Sequence, residues 1–161
     1  MGQNHWIWQS DHTIRSDLTA GRRVLDELIR QLHSHRWNRR EVFDVHLAIE
    51  EALVNAICHG NREDPGKQVQ VRCRLASDRV RVEIADEGPG FDPSLVPDPT
   101  DPSRLDNPKG RGLLLMRAFM SRVSFQDSGR TVILEKDRDT SRAGHRARTE
   151  HSYGSGGSFA P

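Results

Sequence analysis

The sequence predicts one α/β domain, a two-layer sandwich in which a mixed and mostly antiparallel sheet carries helices on one face. Apolar residues recur at spacings of three and four along two long segments, as in amphipathic helices. Further along the chain, apolar and polar residues alternate over two neighbouring segments, as in antiparallel strands with one buried and one solvated face. The 161 residues are enough for a single domain with a substantial core.

The N-terminal part is predicted to contain a short strand and a helix. The strand covers His5 to Gln9, where Ile7 stands between two tryptophans. Ser16 or Asp17 is the candidate N-cap of the helix, because both side chains can accept hydrogen bonds from free backbone N–H groups. The apolar face of this helix consists of Val24, Leu25, Leu28, Ile29 and Leu32.

A second helix is predicted from about Arg40 to His59, before the turn-rich segment Gly60 to Gly66. Its polar stripe carries Glu51, Asn55 and His59 among alanines, whereas a solvated face normally carries long charged side chains. Small neighbours leave room for a ligand. Taken alone, however, the same residues fit an ordinary solvated helix face equally well. The opposite, core-facing side consists of Val42, Val45, Ile49, Leu53 and Ala56.

A β-hairpin follows, because the apolar period changes to two from Gln68 to Leu75 and again from Val80 to Ile84. The second strand ends in the turn-forming sequence Asp-Glu-Gly-Pro-Gly, which begins at Asp86. On base rates a strand-ending Asp followed by glycines is usually only a turn.

The segment from Pro93 to Lys109 is too polar to pack and long for a connection, so we interpret it as a mobile lid. Gly110-Arg111-Gly112 then opens a helix from Leu113 to Met120. A closing hairpin of Val123 to Phe125 and Thr131 to Leu134 completes the predicted domain.

The domain is predicted to cover residues 1–136, and residues 137–161 to form a disordered polar tail with almost no apolar side chains. The formal charge is +1, which gives no overall field to recruit nucleic acid or an acidic membrane. No apolar run is long enough to cross a bilayer, so a cytoplasmic location is the default expectation. Neither a P-loop motif nor the HRD and DFG motifs of eukaryotic-type kinases occur.

Three separated features occur in a fixed order: Glu51 to Asn55 on a helix, Asp86 to Gly90 after a strand, and Gly110 to Leu113 at a helix start. In this order the chain resembles the GHKL ATP-binding family, which includes histidine kinase catalytic domains, gyrase-type ATPases and Hsp90. The segments resemble its N-box and its two glycine boxes. The form EEALVNAICHGN and the closing GRTV are most similar to bacterial anti-sigma factor serine kinases.

The resemblance implies the Bergerat-type ATP-binding fold and a set of site residues. It implies that Asn55 binds Mg²⁺, that Asp86 accepts a hydrogen bond from the adenine amino group, and that Glu51 acts as the catalytic base. ATP and Mg²⁺ are therefore the expected cofactors. The other implied nucleotide contacts are Gly88, Gly90, Lys109, Gly110, Arg111, Gly112, Leu113 and Thr131.

These chemical roles suit the residue types. A Mg²⁺ ion takes oxygen ligands and keeps several waters, so one amide oxygen with the phosphates is sufficient. A helix start offers free N–H groups to phosphates. Lys109 and Arg111 are equally consistent with solvated side chains, and Thr131 with an ordinary strand residue.

The resemblance implies an ATP-dependent protein serine/threonine kinase that is also an anti-sigma factor. Its expected partners are a small antagonist protein with a phosphorylatable Ser or Thr and a sigma factor, and a homodimer is an expectation. One alternative is a non-catalytic binding module that responds to ATP. Another is the catalytic half of a split histidine kinase, acting with a separate phospho-acceptor protein.

Overall fold

The computed structural model describes residues 5–92, 94 and 108–141. In these ranges five strands and three α-helices are present, with a π-helical turn at Asn55–Gly60 and a short 3₁₀ turn at Asp127–Gly129. In chain order the elements are β1 (Trp8–Arg15), α1 (Leu18–Ser34), α2 (Arg39–Val54), β2 (Gln68–Leu75), β3 (Arg79–Ala85), α3 (Pro108–Phe119), β4 (Arg122–Gln126) and β5 (Thr131–Asp137).

The strands form one sheet in the order β1-β2-β3-β5-β4. Every pairing between described strands is antiparallel, so the prediction of a mixed sheet was wrong in this respect. The β4–β5 hairpin explains the difference, because it returns β5 beside β3 in the opposite direction.

The three helices cover one face of the sheet, as the sequence predicts. α1 contacts β1 and β2, α2 contacts β3 and β5, and α3 packs against α2 and β4. The core lies between the two layers, and its largest fully buried side chains include Leu28, Leu32, Ile49, Ile57, Leu75, Ile84, Met116 and Leu134. The α/β two-layer sandwich is therefore confirmed. Among the described residues, no helix has the length and apolar character to cross a membrane.

The first strand differs from its prediction, which placed it at residues 5–9. β1 pairs with β2 along its whole length, from Trp8 opposite Leu75 to Arg15 opposite Gln68. Residues 9–13 of this strand are all polar, so only the pairing with β2 identifies this part as strand.

The first two helices begin where the capping residues indicate. Asp17 caps α1 by accepting a hydrogen bond of 3.0 Å from the Thr19 backbone N–H. Asn38 and Glu41 form a reciprocal capping box at the start of α2. The predicted second helix continues as the π-helical turn at 55–60, in which each turn contains an extra residue.

The described chain stays attached to the domain beyond the predicted boundary. β5 runs to Asp137, and the Arg138 guanidinium donates a hydrogen bond of 2.6 Å to the Arg36 carbonyl. The same guanidinium lies 5.6 Å from the ring centroid of Trp37. The domain therefore includes at least two residues of the predicted tail. Residues 142–161 lie outside the described ranges.

Candidate functional site

A cavity of about 330 Å³ lies between the end of α2, the loop after β3, the first half of α3 and the β4–β5 turn. This volume falls in the range of roughly 300 to 1,000 Å³ that is typical of small-molecule sites. Its polar lining includes Asn55 and Asp86. Its apolar lining includes Ala52, Ala56, Ile84, Leu113, Met116, Phe125 and Val132.

Of the polar stripe on α2, Asn55 lies at this cavity and Glu51 lies against α3. Asn55 stands at the junction of α2 and the π-helical turn and lines the cavity directly. Glu51 lies one turn earlier, and its carboxylate is in contact with the backbone of Gly112, so that a Cβ at Gly112 would collide with it. Among the described residues neither side chain has a hydrogen-bond or ion-pair partner.

Asp86 is positioned by backbone contacts on two sides. Its Oδ1 accepts a hydrogen bond of 2.8 Å from the Gly88 N–H, and its own N–H donates to the Arg130 carbonyl at 3.0 Å. A Cβ at Gly60 would lie 2.5 Å from Cγ of Asp86. A Cβ at Gly88 would collide with the carbonyl of Gly60. The end of the π-helical turn and the loop after β3 can approach this closely only because both positions are glycine.

The protonation equilibrium of Asp86 is perturbed by this position. Burial raises the pKa of the Asp86 carboxyl above its usual value, although the Gly88 N–H and the nearby Arg130 and Lys67 charges favour the ionised form. A half-buried carboxylate with one oxygen outside any hydrogen bond in the described structure is a suitable acceptor for a ligand amino group.

The loop after β3 is joined to the β4–β5 turn. The Phe91 N–H donates to the Ser128 carbonyl at 2.9 Å, and the rings of Phe91 and Phe125 meet edge to face with centroids 5.2 Å apart. Gly90 and Gly129 both have positive φ, at 75° and 83°, and each backs onto a carbonyl of the opposite segment. The two segments therefore form one wall of the cavity.

The third wall is α3, which begins earlier than predicted. The helix starts at Pro108 rather than Leu113, so Gly110 and Gly112 lie inside it. Glycine lowers helix stability by about 1 kcal/mol relative to alanine. A side chain at Gly112 would displace the Glu51 carboxylate, which occupies the space of a Cβ there. Gly110 and Leu113 line the cavity, and Arg111 is exposed in the first turn.

Several predicted nucleotide contacts do not line the cavity, among them Gly88, Arg111, Gly112 and Thr131. Thr131 is buried, and its hydroxyl donates a hydrogen bond of 2.9 Å to Asp127. It lines a smaller recess that shares Asp86 and Arg130 with the cavity, so its contact with adenine stays a prediction. The Lys109 side chain and all but residues 94, 108 and 109 of the proposed lid lie outside the described structure, so both remain predictions.

Sequence reasoning missed several residues of the site. Gly60 was assigned to a turn, although its contact with Asp86 is specific to the site. Arg130 and Phe91 also line the cavity. The resemblance noted Gly129-Arg130 only as part of a closing motif. The signal available in the sequence was the presence of glycines beside these residues, at positions 60, 88, 90 and 129.

The geometry fits an adenine nucleotide. A half-buried acceptor at Asp86 and an apolar floor suit a base, and the N-terminal half of α3 suits its phosphates. Among the described residues no three His, Cys, Asp or Glu side chains are grouped so as to hold a metal ion. A Mg²⁺ ion at Asn55 would be held by the amide oxygen together with phosphates and water, which is an ordinary mode of Mg²⁺ binding.

Comparison with protein families identifies the domain. The model of the histidine kinase-like ATPase domain matches residues 14–136, which is most of the chain and includes every element from α1 to β4. This chain belongs to the histidine kinase-like ATPase domain family. The resemblance in the sequence is thereby confirmed, and membership implies the use of ATP.

Curated relatives of this ATPase domain include named protein kinases and anti-sigma factors. The chain is 35% identical over 112 residues to the serine-protein kinase RsbW of Bacillus subtilis, covering 65% of this chain and 70% of that protein. It is 34% identical over 93 residues to the serine/threonine-protein kinase BtrW of Bordetella bronchiseptica, covering 56% and 66%. An anti-sigma F factor of Clostridium perfringens is 28% identical over 107 residues, covering 62% and 75%.

A solved structure with the same fold contains the RsbU and RsbW domains of Rv1364c from Mycobacterium tuberculosis. The TM-score is 0.56 at 21% identity, and the match covers 81% of this chain and 32% of that chain. At this identity the likeness supports the fold of the histidine kinase-like domain alone.

Proposed function

We propose that this protein is an ATP-dependent serine/threonine kinase and anti-sigma factor. It transfers a phosphoryl group to a Ser or Thr of a small antagonist protein in a cytoplasmic partner-switching system, and a sigma factor is its second partner. The proposal is supported by the names of the relatives and, above all, by one observation. The Glu51 carboxylate has no partner in the described structure and lies one helical turn before Asn55, against Gly112 of α3.

The residues of the chain divide the work of binding. Asp86 accepts a hydrogen bond from the adenine amino group, and the apolar floor excludes water from the base. Asn55 offers its amide oxygen to Mg²⁺. Backbone N–H groups in the first turn of α3 have no intrahelical acceptors and can donate hydrogen bonds to phosphates. Lys109 and Arg111 add positive charge there.

Glu51 carries the catalytic proposal. Bound Mg²⁺-ATP supplies the reactive γ-phosphoryl group. The Glu51 carboxylate accepts the proton of an incoming serine or threonine hydroxyl and orients its oxygen. Proton acceptance and positioning are most of what phosphoryl transfer requires of a protein. Contact with Gly112 fixes the carboxylate beside the first turns of α3, where the phosphates would lie.

Paired substitutions on α2 test this function. Glu51→Gln keeps the size of the side chain but removes its proton affinity, so phosphoryl transfer should fall roughly 10²- to 10⁴-fold while ATP binding is retained. Asn55→Ala should instead weaken Mg²⁺-dependent ATP binding. Glu50→Gln is the matched control, because Glu50 is the adjacent glutamate on the same helix, whereas it is the Glu51 carboxylate that lies against Gly112.

The assay combines calorimetry with Mg²⁺-ATP and transfer of labelled phosphate to small proteins encoded by neighbouring reading frames. If Glu51→Gln phosphorylates the partner at the parent rate, the catalytic role is wrong. If the parent binds a partner in an ATP-dependent way but never transfers phosphate to serine, threonine or histidine, the binding-module alternative replaces the kinase. Transfer to a partner histidine would instead support the split histidine kinase. Light scattering of the same samples measures whether the protein is a homodimer.

A further inference from the structure

The strongest feature outside the predicted site is a buried polar cluster around Asn61. This residue follows the π-helical turn directly, and its backbone N–H donates to the Ala56 carbonyl at 2.9 Å, which closes the last bond of that turn. Asn61 has no exposed surface. A fully buried amide is stable only when its polar atoms are hydrogen-bonded, and here they all are.

The Asn61 side chain joins three segments of the chain. Its Nδ2 donates hydrogen bonds of 2.9 Å to Ser16 Oγ and 2.8 Å to the Gln68 carbonyl. Its Oδ1 accepts a hydrogen bond of 2.8 Å from the Glu87 N–H. Ser16 precedes α1, Gln68 begins β2, and Glu87 is the residue directly after Asp86. One amide therefore holds the loop that carries the base acceptor.

The orientation of this amide is fixed by the direction of its hydrogen bonds. Ser16 Oγ donates its own proton to the Lys67 carbonyl at 2.9 Å, so towards Asn61 it can only accept. The Gln68 carbonyl can only accept as well. Rotating the amide by 180° would place its oxygen against these two acceptors and its NH₂ group against the Glu87 N–H. The arrangement has therefore only one satisfied state.

We infer that Asn61 is a positioning residue for adenine recognition, acting through the Glu87 N–H on the neighbouring Asp86. The inference rests on the proposed ATP site and extends it to a residue that does not line the cavity. Asn61 fixes the loop after β3 relative to the π-helical turn, at the same place where Gly60 and Gly88 allow close approach. The distance between the base acceptor and Asn55 then depends on this amide.

Asn61→Leu tests the inference, because leucine has a similar volume and forms none of the three hydrogen bonds. The matched control is Asn38→Leu, which removes an asparagine side chain from the opposite end of the same helix, where it caps the Glu41 N–H. Both changes lower the stability of the fold. Only the first frees the Glu87 N–H, so only the first should change how the protein distinguishes adenine from guanine.

The measurement is the affinity for ATP and for GTP at saturating Mg²⁺, under conditions in which circular dichroism shows each variant to be folded. We expect the ratio of ATP to GTP affinity to fall roughly tenfold or more in Asn61→Leu, which corresponds to the loss of one buried hydrogen bond. Asn38→Leu should keep the parent ratio. A purely structural role would lower both affinities together and leave the ratio unchanged.

Hydrogen exchange of the 86–88 amides without nucleotide gives a readout that does not depend on ATP binding. Faster exchange there in Asn61→Leu but not in Asn38→Leu is expected. If the parent selects ATP and Asn61→Leu retains both its selectivity and its exchange rates, the inference is overturned while the proposed function stands. If the parent binds neither nucleotide, the proposed ATP site and the inference both fail.

Discussion

The contact between Gly60 and Asp86 gives the sharpest structural prediction for the site. In Gly60→Ala the new Cβ would lie 2.5 Å from Cγ and 2.6 and 2.7 Å from the two carboxylate oxygens of Asp86. Real Cβ contacts of this length do not occur, so one partner must move. Gly60 does not have a positive φ, so the local backbone conformation is allowed for alanine. The substitution therefore tests the collision between the new Cβ and the Asp86 carboxylate without added backbone strain.

The size of the effect follows from what can move. Rotating the Asp86 carboxylate away breaks its 2.8 Å hydrogen bond with the Gly88 N–H, and bonds to charged groups contribute about 1.5 to 3 kcal/mol. Moving the π-helical turn instead strains a packed region, at about 1 to 3 kcal/mol. We therefore expect Gly60→Ala to lower the free energy of unfolding by about 1 to 3 kcal/mol. ATP affinity should fall roughly 10- to 100-fold, because either movement displaces the base acceptor.

Urea unfolding and calorimetry with ATP measure the two effects. Gly66→Ala is the matched control, because Gly66 lies in an exposed turn where an added Cβ meets only the Asp64 Oδ1, at 3.2 Å. In an Asp86→Ala background the collision partner is absent, so Gly60→Ala should then have little effect on stability. Parent-like stability and ATP affinity for Gly60→Ala would refute this account of the contact.

Three further predictions concern the base acceptor, a buried ion pair and the lid. Asp86→Asn should weaken ATP binding by about 1 to 3 kcal/mol. Because burial raises the pKa of Asp86, ionisation of this carboxyl lowers the stability of the parent as pH rises through that pKa. In urea titrations the variant should therefore match or exceed the stability of the parent at pH 7, and should gain nothing at pH values below the usual Asp pKa. Lys136→Met leaves Asp44 buried without its 2.9 Å partner and should lower the free energy of unfolding by about 3 to 5 kcal/mol. The control is Arg122→Met, which removes exposed ion pairs and should cost at most about 1 kcal/mol per pair. Equal losses in the two variants would contradict the assignment of the larger effect to burial. Residues 93–109 should exchange amide hydrogens more slowly with ATP bound, and identical exchange with and without ATP would exclude a lid.

Sequence periodicity predicted the elements whose signals are local. The β2–β3 hairpin was predicted with its bounds nearly correct, because apolar alternation is strong there and the turn at 76–78 is short. The start of α1 was also predictable, since the N-cap at Asp17 satisfies backbone groups within the same turn. Such signals need no knowledge of the rest of the chain.

The part of β1 beyond residue 9 and the start of α3 could not be predicted in the same way. Asp11 of β1 is held by a 2.7 Å ion pair with Arg74, a partner 63 positions away in the sequence. Two glycines near the start of α3 normally argue against a helix. Gly112 lies where α3 packs against α2, and Glu51 occupies the space that a side chain at this position would need. Both errors come from contacts between elements that are distant in sequence.

The most important feature that the sequence did not reveal is the π-helical turn after Asn55. Helical periodicity treats residues 40–59 as one regular helix, yet the wider turn determines where Gly60 and Asn61 point relative to Asn55. Gly60 contacts Asp86, and Asn61 holds the next residue of the same loop. The separation between the candidate metal ligand and the candidate base acceptor is therefore set by backbone geometry and one buried amide. Because neither depends on a flexible side chain, the site is largely preorganised for a ligand of one length.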